Sequence, residues 1–112
     1  MPKYTPCEQI CYVLRLVPEG SVVSYGHLAD LAGLPGRARL AGRCLKDTAE
    51  PVPWHRVVRA DGKIAFALGS DAYGEQQRLL RSEGVIVTRG RVNMRHYCWQ
   101  PDTYTLLAEL PF

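Results

Sequence analysis

The chain contains no long apolar run, which excludes a membrane-spanning helix. Its first residues, Met1-Pro2-Lys3-Tyr4, lack the apolar stretch of a secretory signal, so a cytoplasmic location is expected. No internal repeat, low-complexity tract or linker interrupts the 112 residues, and one small domain spanning 1–112 is expected. Acids and bases nearly cancel: a net charge of +3 says little about any partner. Cysteine is sparse. Cys7, Cys11, Cys44 and Cys98 are expected to be buried thiols in a reducing compartment. A zinc site would need a second close Cys/His pair. His96 and Cys98 have the spacing of no common finger, so no metal is expected. What remains is an ordinary globular composition, 46% hydrophobic and 22% charged, able to form a modest core without staples.

Local signals place the elements. Thr5-Pro6-Cys7-Glu8 predicts a helix start: Thr5 caps, Pro6 suits the first helical position and Glu8 completes a capping box. Cys7, Ile10, Cys11, Leu14 and Val17 then follow helical spacing, and Pro18-Glu19-Gly20 ends the helix. Ser21-Val22-Val23 is short and extended. Ser24 caps a second helix from about Tyr25 to Ala32, which Gly33 closes. After the turn Leu34-Pro35-Gly36, a third helix covers about Arg37 to Lys46. Two helices joined by a short glycine-containing turn make a helix-turn-helix. Pro51-Val52-Pro53 carries the chain, extended, to Trp54, and Arg56-Val57-Val58 reads as a short strand. Asp61-Gly62 marks a turn, and Lys63 to Ser70 a loop. A further helix runs from about Ala72 to Ser82 and stops at Gly84; Val85-Ile86-Val87 reads as a strand. Leu106, Leu107, Leu110 and Phe112 are expected to pack back on the domain, with a partner-docking patch as the alternative.

The third helix is segregated by residue type. Arg39, Arg43 and Lys46 lie at i, i+4 and i+7, one basic stripe. Ala38, Ala41, Gly42 and Leu45 supply mostly small side chains, a slim surface that would let a nucleic-acid backbone come close. A charged stripe is usually a solvated face; the preceding helix and turn favour a recognition helix here. A local basic surface binds nucleic acid without an extreme overall charge.

Four segments, in order, carry a family resemblance: Pro18-Glu19-Gly20 with Val22-Val23-Ser24-Tyr25, then Arg39-Leu40-Ala41-Gly42, then Pro53-Trp54-His55-Arg56-Val57-Val58, then Leu79-Leu80-Arg81-Ser82-Glu83-Gly84. Over about residues 5–90 the chain resembles the DNA-binding domain of the DNA O6-alkylguanine alkyltransferases, with residues 91–112 as an extension. The family signature is Pro-Cys-His-Arg-Val; here Trp54 stands where the nucleophilic cysteine belongs. Thiolate is the nucleophile, and indole offers an N–H donor and no available lone pair. The substitution resembles that of the alkyltransferase-like branch, which binds O6-alkylguanine without transferring the alkyl group.

The resemblance implies a fold that is mainly α with short strands, winged helix-turn-helix-like. It implies a non-enzymatic sensor that docks its recognition helix in the minor groove, flips the damaged nucleotide and marks it for nucleotide excision repair. Double-stranded DNA containing O6-alkylguanine and excision-repair proteins are the implied partners; a monomer with no cofactor and no membrane contact is expected. Tyr25, Arg39, Ala41, Gly42, Arg43 and Lys46 are the candidate DNA-binding residues. Tyr25 would rotate the target's 3′ phosphate and Arg39 fill the gap in the stack. Tyr25, Trp54, Val57, Ile64 and Phe66 are the candidate lesion pocket. No catalytic residue is expected: His55 and Glu83 match a proton relay left without a nucleophile, and Arg56 is expected to hold the motif by bonding buried carbonyls. Two other readings are an active transferase using Cys44 or Cys98, and a helix-turn-helix transcription factor. The second leaves Trp54 and Glu83 unexplained.

Overall fold

The computed structural model describes residues 4–112. Helix α1 (Pro6–Leu16) opens with the expected capping box: the Glu8 amide donates to Thr5 Oγ1 at 3.1 Å and the Thr5 amide to Glu8 Oε1 at 2.8 Å. Strand β1 (Val23–Ser24) leads into α2 (Tyr25–Leu31), which Ser24 caps through the His27 amide. Helix α3 (Ala38–Asp47) follows the Leu34-Pro35-Gly36 turn. A single 3₁₀ turn, Trp54–Arg56, precedes β2 (Val57–Val58). Helix α4 (Asp71–Ser82), capped by Ser70, then leads to the hairpin β3 (Val87–Thr88) and β4 (Arg91–Val92). Short helices α5 (Met94–Tyr97) and α6 (Thr103–Glu109) complete the chain. Among the described residues no helix is long and apolar enough to cross a membrane.

Two apolar cores share one wall. The parallel pair β1–β2 sets Val23 opposite Val57 and Ser24 opposite Val58. Successive strand residues point to opposite faces. Val23 and Val57 therefore enter the core of α1, α2 and α3, with Ile10, Leu14 and Leu28. Val22 and Val58 enter the second core, with Ile64, Leu80, Val85, Val87 and Val92. The strand that leaves the Trp54 motif is thus clamped from both sides.

The structure corrects several expectations. The Val85-Ile86-Val87 strand begins only at Val87, with Ile86 turned out at 67% exposure. The sequence reading missed the hairpin itself. Its two-residue turn, Arg89-Gly90, holds both residues at positive φ (53° and 71°), the conformation that matches the twist of paired strands. The tail packs back in part: Leu106 is buried, Leu110 lies against the first core, and the Phe112 ring meets Tyr12 edge-on at 6.0 Å. Leu107 points out, 62% exposed.

The four cysteines are not all thiols. Cys7 lies one turn before Cys11 on the face of α1 that meets α3, and it forms a disulfide with Cys44, Cα–Cα 5.2 Å. Cys11 and Cys98 are free. The bridge spans a sequence separation of 37, so by chain entropy it is worth about 4 kcal/mol against the unfolded state. Cys7→Ser is expected to lower unfolding stability by about 2–4 kcal/mol in denaturant titrations under oxidising conditions, and by nothing in strong reductant. An equal deficit in both conditions would show that packing, not the cross-link, carries the effect.

Candidate nucleic-acid interface

Helices α2 and α3 form the expected helix-turn-helix. Arg39, Arg43 and Lys46 are all exposed on the outer face of α3, as one stripe. The small residues do a different job from the one expected. Ala41 is fully buried in the first core, so its side chain has no surface to offer DNA. A Cβ at Gly26 would sit 3.9 Å from Ala38, and one at Gly42 would sit 3.9 Å from two carbons of the Tyr25 ring. Both distances are ordinary van der Waals contact, so α3 packs on α2 and on the Tyr25 ring without either position requiring glycine. Tyr25 is consequently half-buried, and burial pushes its phenol pKa up. No side chain caps α3 at Arg37, so its first-turn amides have no side-chain partner.

The Pro53–Val57 motif is held by one carboxylate. Glu83, at the end of α4, accepts from Arg56 Nε at 3.0 Å and Nη2 at 2.7 Å, and pairs with His55 Nε2 at 2.7 Å. Arg56 Nη1 also donates to the Val17 carbonyl at 2.8 Å, tying the end of α1 to the motif. Burial would raise the Glu83 pKa. The hydrogen bonds from Arg56 and His55, with their charges, outweigh it and hold the carboxyl at about 2. A second clamp went unseen in the sequence: buried Gln76 donates Nε2 to the carbonyls of His55 (2.9 Å) and Val57 (2.8 Å). Nothing in the spacing of α4 distinguishes Gln76 from a surface glutamine; only its burial does.

Trp54 opens the 3₁₀ turn and is part-exposed. Its ring meets Phe66 edge-to-face at 5.9 Å, and Phe66 is 40% exposed. Two aromatic surfaces therefore stand at the mouth of the motif. Val57 (0% exposed) and Ile64 (6%) do not join them; they are core residues, because β2 and the Ile64 segment form the walls of the two cores. The parallel β1–β2 register puts Tyr25, next after Ser24, at the end of the pair where Arg59 leaves β2, whereas Trp54 stands before the opposite end. Of the two alternative nucleophiles, Cys44 is in the disulfide, and Cys98 is a free thiol that burial pushes up, with His27 Nδ1 3.8 Å away.

An exposed basic helix behind a helix-turn-helix turn, beside a strand-anchored Pro-Trp-His-Arg motif tied to Glu83, defines a DNA-binding domain of the O6-alkylguanine alkyltransferase type. The family model described as the 6-O-methylguanine DNA methyltransferase DNA-binding domain matches residues 6–85, and the chain belongs to that family. A protein named DNA base-flipping protein, from Vibrio parahaemolyticus, is 40% identical over 96 residues, which cover 83% of this chain and 94% of the relative. The fold matches the Schizosaccharomyces pombe alkyltransferase-like protein solved with damaged DNA containing O6-carboxymethylguanine. That match has a TM-score of 0.79 at 29% identity and covers 90% of this chain and 100% of the other. Against a Mycobacterium tuberculosis methyltransferase solved with DNA, the TM-score is 0.63 at 32% identity, covering 74% of this chain and 51% of that protein.

Proposed function

We propose that this protein senses O6-alkylguanine in DNA without repairing it by alkyl transfer. The observation that carries the reading is the motif itself. His55 and Glu83 are bonded at 2.7 Å as if to activate a nucleophile, yet the adjacent position holds an indole packed on Phe66. Recognition and chemistry are separated. Names and ligands of the relatives, a base-flipping protein and an alkyltransferase-like protein with damaged DNA, support the same reading.

Inspection of guanine O6 requires the nucleotide to leave the stack, at a cost of roughly a few kcal/mol. Stacking on an aromatic side chain returns about 1–3 kcal/mol per base, and in this reading Trp54 and Phe66 supply it. Arg39 fills the vacated gap, and Tyr25, braced by Gly42, crowds the 3′ phosphate. Arg43 and Lys46 take phosphates. In this reading the protein acts as a monomer, and the bound, flipped lesion marks the site for nucleotide excision repair, a step that rests on the family resemblance alone.

The test pairs binding with mass spectrometry. The protein is expected to bind an O6-methylguanine duplex at least about tenfold more tightly than the unmodified duplex, a difference of about 1.4 kcal/mol. Its mass is expected to stay unchanged after prolonged incubation with the damaged DNA. A gain of one methyl on Cys11 or Cys98 would overturn the sensor reading in favour of transfer. Equal affinity for both duplexes would remove lesion recognition altogether.

A further inference from the structure

The hairpin side of the molecule carries a second concentration of positive charge that the recognition helix does not account for. Between Glu83 and Asp102 the sequence has no acidic residue, but it has Arg89, Arg91, Arg95 and His96. The fold joins this stretch to the segment that follows the Trp54 motif. The Val92 amide donates to the Gly62 carbonyl at 2.9 Å, the Ile64 amide donates to the Gly90 carbonyl at 2.9 Å, and Lys63 pairs antiparallel with Arg91. Gly62 makes the close seating feasible: a Cβ there would run into the Val92 carbonyl.

Residues directly opposite across antiparallel strands point to the same face. Thr88 stands opposite Arg91, and Arg91 opposite Lys63, so the three side chains form a row. Val87 and Val92 take the other face, into the core. The row borders a cleft of about 880 Å³ whose lining includes Asp61, Ile86, Thr88, Arg91, Arg95 and His96. Charge balance there is lopsided. Glu75 is taken by Arg78 at 2.7 Å and Glu83 by Arg56 at 2.7 Å. Asp61 alone among the described acids lines the cleft, 3.7 Å from Arg91.

We propose that this cleft is a second duplex-contact surface, holding phosphodiester backbone beside the Trp54 pocket while α3 engages its own groove. The inference rests on the DNA-binding reading above. Its mechanical basis is the short path from hairpin to pocket: Ile64 is bonded to the hairpin turn, and Phe66, two residues on, packs against Trp54. A concave, cationic surface concentrates field on a polyanion. Such contacts add affinity and set the register of the duplex without reading the base. Asp61 weakens the surface by neutralising Arg91.

Charge variants of opposite sign test it. Arg91→Gln/Arg95→Gln removes two exposed cations and leaves both cores and the Trp54 motif intact. It is expected to weaken binding about tenfold at moderate salt, equally for damaged and intact duplex, and to reduce the slope of log affinity against log salt by about 2. Asp61→Asn keeps a side-chain acceptor for the Lys63 amide and frees Arg91. It is expected to tighten binding about two- to fivefold and steepen the slope. Wild-type affinity and slope in both variants would overturn the second surface, and would leave the face to an acidic protein or to solvent. Lesion preference in the wild type, measured alongside, reports separately on the DNA-binding reading.

Discussion

Arg39→Ala is expected to weaken binding to an O6-methylguanine duplex about 30- to 100-fold, equivalent to about 2–3 kcal/mol. Arg39 is exposed on the outer face of α3, with Arg43 and Lys46 on the same stripe. Once a nucleotide is flipped, the stack has lost roughly a few kcal/mol of contacts, and a planar guanidinium recovers part of them. Unmodified duplex, bound without flipping, is expected to lose less than about tenfold, the value of one phosphate contact. Arg39→Lys separates the two roles: it should restore the salt dependence but only part of the lesion affinity, because an ammonium does not stack. Tyr25 is tested beside it. Tyr25→Ala opens space over Gly42 and so loses stability as well as affinity, whereas Tyr25→Phe keeps the ring in place. Fluorescence anisotropy and a thermal melt on the same samples divide these effects. Binding within twofold of wild type for both Arg39→Ala and Tyr25→Ala would sink the flipping assignment.

Arg56→Ala is expected to cost about 3–5 kcal/mol of stability, enough to unfold much of the population of a small domain. The guanidinium links three elements: it bonds the Val17 carbonyl beyond α1 and both oxygens of Glu83 at the end of α4, from within the motif between them. Removal leaves a carboxylate 11% exposed with His55 as its remaining side-chain partner. Arg56→Ala/Glu83→Gln should recover part of the loss by removing the stranded charge. The same carboxylate sets an acid limb. Its folded pKa of about 2 lies below its ordinary 4.5, so its contribution is complete above about pH 4.5 and is lost as pH falls towards 2. On the order of 2 kcal/mol should disappear across that window in urea titrations, after allowance for screening. Glu83→Gln should flatten that limb; an unchanged limb would assign the acid sensitivity to other groups.

These expectations divide by what made them visible. The capping box of α1, the Ser24 cap, the helix-turn-helix and the basic stripe of α3 were all legible from local spacing. Each depends on residues within one or two turns of each other, and the backbone satisfies them wherever the chain goes. Trp54 in the Pro-Trp-His-Arg segment was legible as well, as a departure from a recognisable motif. The pairing of His55 with Glu83 was expected only through the family resemblance, since 28 residues separate them.

The rest required tertiary structure. The small side chain of Ala41 and the family resemblance of the Val57 and Ile64 segments point all three at DNA or the pocket. Burial moves all three into the cores, since a helix face or strand face is chosen by what packs on it. The bond between Cys7 and Cys44 exists only because α1 docks on α3. Gln76 became a clamp, and Lys63 a neighbour of Arg91, through contacts of high sequence separation that no local pattern encodes. By itself the sequence determined which side chains are available to meet a damaged base and which nucleophile is missing. The packing of two cores around one short parallel pair decided which of those side chains face outward, and the hairpin pairing set Arg91 between Thr88 and Lys63. Side-chain chemistry is local, whereas direction and partnership are properties of the assembled fold.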